Sequence, residues 1–386
     1  MRRRVGVRVG RALLPLAMLA VTAGAAAGQI EISGQLDLIG KVRSDTLGMN
    51  TAFRGDSPYN AARLRLYARH WINDRIGIFT ELLFDFGADP RVNGAYMVIN
   101  ELGGQSWPNT RIGVAPNVIG SFGQRSTYFN SNPLVGVPLV WQYRTNLDAS
   151  GTATAASLTS ITREPGFSLP ILYDSCWNLQ WEILGEIGSF EYSLAMTPGS
   201  PSNPIKSMYV PGSTGMARVG YVPLPGLRLG ISGAYGPYLS EPEPDSGGNL
   251  PYTQDPQDFK QSLLGADLEY QHGPMILFSE VYGVRYEAPQ INDDLQALGG
   301  YAELRYDFLP GWYMAGRVGG LFFNEIEVDP VAGTTASWDH DTRRLEVTLG
   351  YRLAREVLVK LDWQRTTVPV DDIAQNLFAL QVSSVF

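Results

Sequence analysis

Charge is scarce in this chain: Asp, Glu, Lys and Arg make up 18% of its 386 residues, below the roughly one quarter usual for soluble domains. Cysteine is nearly absent. Cys176 stands alone, so no internal disulfide framework can hold the fold together. Histidine is limited to His70, His272 and His340, and no two of them fall at metal-ligand spacing. No G-x-S-x-G elbow and no phosphate-binding glycine loop occurs. An enzyme is therefore not expected, and no metal or other cofactor is called for. Beyond the N-terminal segment there is no run of about 18 apolar residues, which excludes a helical membrane span.

Basic residues are concentrated at the start. Arg2, Arg3, Arg4, Arg8 and Arg11 precede an apolar stretch from Leu13 to Val21 and the small residues of Ala25-Ala26-Ala27. This is the pattern of a cleaved secretory leader over 1–28, leaving 29–386 as a single exported domain. Of the 30 Lys and Arg residues, losing these five leaves 25 against 38 acidic ones. So acidic a chain lacks the phosphate-neutralising charge that nucleic-acid binding needs.

What the chain does have is alternation. Leu64, Leu66 and Ala68 interleave with Arg63, Arg65, Tyr67 and Arg69. Ala302, Leu304, Tyr306 and Phe308 interleave with Tyr301, Glu303, Arg305 and Asp307. The same period of two runs through Ile30–Leu38, Arg344–Arg352 and Val357–Gln364. Period two means strands, and segments of about ten residues match a tilted strand crossing a bilayer. Short turns such as Asn73-Asp74, Pro225-Gly226, Gly273-Pro274 and Pro310-Gly311 alternate with long polar loops near 44–58, 199–212, 239–258, 326–339 and 367–373. That asymmetry belongs to outer-membrane barrels.

Sixteen segments can be counted: 29–42, 60–72, 75–86, 93–102, 109–118, 176–187, 189–198, 213–223, 226–238, 259–271, 275–288, 297–308, 311–325, 340–352, 355–366 and 375–386. An open sheet of this size would leave unpaired backbone in lipid, so the expectation is an all-β, closed antiparallel transmembrane barrel. Residues 119–175 break the pattern. They are expected to form a long constriction loop, at least partly folded into the lumen, with the Thr- and Ala-rich Ser150–Ser160 portion mobile. The last strand is expected to close the wall against the first near Ile30–Leu38, with Phe386 on the outward face in phase with Phe378 and Leu380.

Several segments carry a family resemblance: Asn109–Gly113 followed by Ser121–Arg125, Arg218–Tyr221 with Pro223–Gly230, Gly265–Tyr270, and Ala379–Phe386. In order and spacing the chain resembles Gram-negative porins of the broad phosphate-selective porin O/P type. The resemblance implies a sixteen-stranded, trimeric, passive channel in the outer membrane of a Gram-negative-type bacterium. The terminal Phe386 resembles the end pattern read by the barrel-assembly machinery. Phosphate-selective members rely on clustered lysines, whereas here the lysines are Lys41, Lys206, Lys260 and Lys360. Anion or cation selectivity therefore stays open.

In a barrel the polar phase faces the lumen. Arg63, Arg65, Arg69, Glu81, Asp85, Arg111, Glu303, Arg305 and Asp307 are the expected pore-lining residues. They form either opposed basic and acidic walls or a solvated wall whose charges neutralise one another. Arg125, Tyr128, Arg144, Arg163 and Glu164 are the candidates for the constriction, with loop-anchoring ion pairs as the alternative for each. The tryptophans are expected in interfacial belts, with sugar stacking as the other use. The expected partners are outer-membrane lipids, the assembly machinery and small hydrophilic solutes. Two other readings remain: a barrel-type lipase using His340, and a plugged structural or adhesive barrel.

Overall fold

The computed structural model describes residues 30–43, 62–85, 89–103, 108–125, 131–160, 168–173, 177–206, 212–241, 244, 248, 250–329, 331–369 and 372–386. Sixteen antiparallel strands close into one barrel. Its first five strands are β1 (Glu31–Arg43), β2 (Ala62–Trp71), β3 (Ile76–Asp85), β4 (Arg91–Ile99) and β5 (Asn109–Pro116). The wall resumes with β8 (Trp177–Ile187), β9 (Phe190–Thr197), β10 (Thr214–Leu224), β11 (Leu227–Pro237), β12 (Lys260–His272), β13 (Met275–Tyr286), β14 (Leu295–Leu309) and β15 (Trp312–Phe323). It ends with β18 (Thr342–Ala354), β19 (Val357–Val368) and β20 (Ile373–Val385). Each overlaps its expected segment, because a period-two pattern of this length leaves little freedom of register.

The closure is where expectation and structure differ slightly. β20 pairs with β1 along Gln35–Arg43, further up the strand than Ile30–Leu38, while β2 takes Glu31–Leu38. Strands in a closed barrel tilt, so the two neighbours of one strand meet it at staggered heights. At the seam Phe386 and Gly34 exchange two backbone hydrogen bonds, of 2.8 and 3.0 Å. The Phe386 ring lies across Gly34, where a Cβ would collide with it.

The outward phase is apolar and exposed along the wall, as at Ile231, Leu264, Val318, Leu361 and Phe378. Left in water, each such side chain would forgo about 1.5–3 kcal/mol of burial; in hydrocarbon it loses nothing. Outward aromatic pairs ring the short-turn end. Phe190 stacks on Tyr221 at 4.7 Å and Trp312 packs on Tyr351 at 4.4 Å between ring centroids. Not every tryptophan joins this belt. Trp71 shares the inward phase of Arg63 and Arg65, Trp141 and Trp338 are fully buried, and Trp177 is buried against Tyr96. Trp107 lies outside the described residues.

Two small sheets were not foreseen. β6 (Arg144–Asp148) pairs with β7 (Ser168–Pro170) inside the long loop, and β16 (Glu325–Asp329) pairs with β17 (Thr334–Ser337) within the 326–339 region. The long loop also carries three single-turn helices, α1 (Phe122–Arg125), α2 (Leu139–Gln142) and α3 (Ala155–Leu158). Its Ser150–Ser160 portion, expected to be mobile, is tied down by local hydrogen bonds and packing. Asp148 accepts from Ser150 Oγ, Thr152 N and Thr152 Oγ1, Thr154 and Ser157 form a reciprocal helix cap, and Leu158 is fully buried. Its Thr, Ala and Ser content serves turn and cap chemistry.

Candidate functional site: the inner wall and its loop

The loop enters the barrel at Gly120, whose φ of 62° only glycine adopts freely and where a Cβ would strike Tyr282. From there it is held against one side of the inner wall by charged side chains of the inward phase. The Glu280 carboxylate accepts from Ser121 N at 2.6 Å, Phe122 N at 2.8 Å and Trp141 Nε1 at 2.8 Å. Glu346 accepts from Gly136 N at 2.7 Å. Arg317 donates to the Gly136 carbonyl and to Asn132 Oδ1, and Lys360 donates to the carbonyls of Asn132 and Leu134. Arg344 reaches Gln142 at 3.2 Å. At the far side of the loop's path Val135 packs with Ile39, Leu377 and Ala379, on the first and last strands.

Apolar packing completes the seat. Val118, Phe122, Val140, Trp141, Leu147 and Leu158 from the loop form one core with Leu263, Tyr282, Tyr286, Leu295, Leu321 and Phe323 from the wall. The upper inward face of β12–β15 is thus apolar, which departs from the expectation of a polar lining throughout. Above it Asp339 binds the loop, accepting from Tyr143 Oη at 2.8 Å and from Asn146 N at 2.7 Å. Burial, then the neighbouring Asp339 carboxylate, pushes the Tyr143 phenol well above its usual pKa.

The expected lining residues fall in the inward phase, but they pair along the wall with their neighbours. They do not form opposed walls. Arg63 meets Asp85 at 2.6 Å, Arg65 meets Glu81 at 3.0 Å, and Arg69 meets Glu31 near the short-turn end. Arg111 lies 3.3 Å from Glu182, and Arg305 lies 2.8 Å from Asp307. Glu303 is shared by Arg317 at 2.6 Å and Arg125 at 3.0 Å. Further pairs join Arg218 to Asp267 and Arg228 to Glu191. The mid-wall groups are buried, with side-chain exposures of 3% for Arg63 and 2% for Glu81. Those of Arg69, Asp307 and Arg228 are 49%, 41% and 42%. A wall of matched charges is wettable yet carries short-range, largely dipolar fields.

Among the constriction candidates, Arg125 is a loop anchor. It donates to Glu303, to Tyr301 Oη and to the Ser131 carbonyl, with its guanidinium 3.8 Å from the centre of the Phe278 ring. Burial works to lower its pKa, and the Glu303 carboxylate with Tyr301 and Glu280 outweighs that and holds it above the usual value. Arg144 stays within the loop, donating to the Ser168 carbonyl and lying over Tyr173. Tyr128, Arg163 and Glu164 lie outside the described residues. Glu280, Glu346 and Arg344, the residues that seat the loop, were missed. The alternating pattern places them on the inner face, yet only the fold shows what they touch.

Inward-facing aromatics form a second feature of the same wall. Trp71, Phe79 and Tyr96 make a continuous run across β2–β4, with Phe79 and Tyr96 parallel at 5.2 Å and Arg111 over Tyr96 at 5.3 Å. His340 donates its backbone N–H to Asp339. Among the described residues no group of His, Cys, Asp or Glu has the arrangement of a metal site.

No protein-family model matches the chain, and no curated protein matches it either. Solved structures do. The outer-membrane protein OmpT of Vibrio cholerae, in its trimer form, matches at 11% identity with a TM-score of 0.57 over 94% of this chain and 100% of that one. An anion-selective porin from Comamonas acidovorans matches at 8% identity with a TM-score of 0.55, covering 93% and 99%. OmpF of Salmonella typhi, in complex with daunomycin, matches at 11% identity with a TM-score of 0.53, covering 92% and 97%. At these identities the likeness establishes the fold alone, a closed sixteen-stranded antiparallel barrel of the outer-membrane type.

Proposed function

We propose that this chain is an outer-membrane porin, a passive channel through which small hydrophilic solutes or ions diffuse down their gradients. One observation carries the reading: a closed sixteen-stranded wall, apolar outside, holds an inserted loop on one side of its lumen and keeps charge-matched polar residues on the other. No bond is broken and no cofactor takes part. Pore width, loop position and the lining charges decide what passes. The porin O/P-type resemblance remains a proposal within this reading, as does a homotrimer, for which the trimer form of the Vibrio cholerae protein gives a precedent. Export by a cleaved leader and insertion by the assembly machinery belong to the same proposal.

Single-channel recording in a planar bilayer tests it. Stable stepwise conductance is expected, with a reversal potential in a salt gradient that names the favoured ion. The burial of Arg63, Arg65 and Glu81 favours one other reading, a plugged barrel. Correctly folded protein that gives no open-channel steps would establish that reading instead. The lipase reading finds little support, because Asp339 beside His340 is already taken up by Tyr143 and Asn146. Phospholipid turnover by the purified protein, lost in His340→Ala, would revive it.

The wall charges offer a further check. Replacing Arg63, Arg65 and Arg69 with Ser takes the main cationic partner from Asp85, Glu81 and Glu31. Among the described residues this leaves Asp85 only the half-exposed Arg91 at 3.3 Å and Glu81 only the Asn93 amide at 3.1 Å. The reversal potential should move toward cations. Breaking each of the two buried pairs costs at most about 3–5 kcal/mol, the figure for a buried charge left wholly uncompensated, so the melting temperature should fall as well. An unmoved reversal potential would remove these arginines from selectivity.

A further inference from the structure

Two grooves indent the outer face of the barrel toward the long-loop end, and they share Phe322. The first, of about 620 Å³, is edged by Arg285, which is neutralised by Asp294 at 2.8 Å and Glu287 at 3.6 Å. The second, of about 500 Å³, has an apolar floor including Val318, Gly320, Phe322 and Leu345, and is edged by Arg343 and Arg365. Strand register pairs Arg343 with Thr367 and Leu345 with Arg365. The two arginines are therefore diagonal neighbours on one face, with backbones about 7–8 Å apart.

That face is the outer one. Arg344, between Arg343 and Leu345, turns inward to Gln142 and Thr366, while Arg343, Leu345 and Arg365 are exposed. Neither Arg343 nor Arg365 has an ion-pair or hydrogen-bond partner among the described residues. Two guanidinium groups with no carboxylate partner among the described residues thus stand near the long-loop end of the apolar band. Gly320, directly opposite Arg343 in the strand register, adds no side chain to the groove floor, which leaves room for an acyl chain. In barrels of this kind the long-loop end faces outward from the cell.

We propose that this groove binds a phosphorylated lipid of the outer leaflet. Its phosphate oxygens accept hydrogen bonds from Arg343 and Arg365, and an acyl chain lies in the groove along Val318 and Leu345. Guanidinium groups bind phosphate through paired, charge-assisted hydrogen bonds, and the apolar floor gains by covering the chain. The neighbouring groove is the built-in contrast. It has similar volume and an apolar floor, but its arginine is already occupied by carboxylates. The proposal needs the barrel to sit in a membrane and is independent of whether the lumen conducts.

The test uses the full-length barrel in detergent and native mass spectrometry. The probes are dioctanoyl phosphatidic acid and dioctanoyl phosphatidylcholine, each applied separately, and inorganic phosphate added as a competitor of bound phosphatidic acid. Phosphatidic acid should bind in preference to phosphatidylcholine, and inorganic phosphate should not displace it. Arg343→Gln with Arg365→Gln should weaken phosphatidic acid binding about tenfold or more, a loss of roughly 1.4 kcal/mol per tenfold. Arg343→Lys with Arg365→Lys should fall between the parent and the double glutamine variant, because an ammonium keeps the charge but not the paired hydrogen bonds, and Arg285→Gln should retain all of it. Unchanged heat-modifiable migration on a gel confirms folding of each variant. Equal binding by the double glutamine variant, an equal loss in Arg285→Gln, or displacement by inorganic phosphate would each overturn the assignment. So would loss of self-association in the double variant with lipid binding intact, which would assign the groove to a second copy of the chain.

Discussion

Glu280→Ala should release the start of the inserted loop and widen the channel. The carboxylate holds two backbone amides, the Ser121 hydroxyl and the Trp141 indole. Hydrogen bonds to a charged group contribute about 1.5–3 kcal/mol each, and alanine removes all of them while leaving the donors buried. Single-channel conductance should rise and the open-state current should become noisier. Limited proteolysis should begin to cut between Ser121 and Trp141 while the barrel itself survives. Glu280→Gln should fall between the two, because its amide keeps one acceptor oxygen and places a donor where another acceptor stood. Conductance and cleavage identical to the parent protein would mean that the apolar seat around Phe122 and Trp141 holds the loop by itself.

The second large effect is expected at the seam. Phe386→Ala should lower the fraction of chains that reach the heat-modifiable, folded form, and Gly34→Val should do so by the converse route. In the first the ring that covers Gly34 is lost; in the second a branched side chain is driven into that ring. An aromatic laid over a strand glycine is a recognised way of stabilising a pairing that glycine weakens. Both substitutions act on the closing pair β1–β20, so both should slow assembly without altering the conductance of the barrels that do form. A normal folded yield for Gly34→Val would show that the ring has room to swing aside, and the seam would then rest on its backbone ladder.

These expectations draw on parts of the molecule that were unequally legible in the sequence. The sixteen strands were readable because the inside–outside alternation at positions such as Arg63–Arg69 and Tyr301–Asp307 is a local signal repeated over ten residues. The inward facing of the charges from Arg63 to Asp307 followed from the same parity. Their pairing did not, since Arg65 with Glu81 and Arg218 with Asp267 depend on which strands become neighbours and at what height. The seat of the loop was hidden for the same reason, although one trace of it was present. On β13 the inward phase runs Tyr282, Val284, Tyr286, so the polar alternation fails where an apolar loop core will dock. Trp71 was misplaced because a tryptophan near a strand end fits an interfacial belt whichever way it faces, and only its parity with Arg63 and Arg65 decides.

The loop anchors also set an order of events in time. Ser121 and Glu280 are separated by 159 residues, Gly136 and Glu346 by 210, and Asn132 and Lys360 by 228. Contacts that distant carry a large loop-closure cost and form late unless intervening structure brings their ends together. Here the intervening structure is the wall itself. The loop therefore docks after the strands from β13 to β19 are in place, and every newly closed barrel passes through a stage in which its lumen is wider than in the finished protein. Refolding followed in time should show the heat-modifiable barrel first and protection of the 121–141 stretch from protease afterwards.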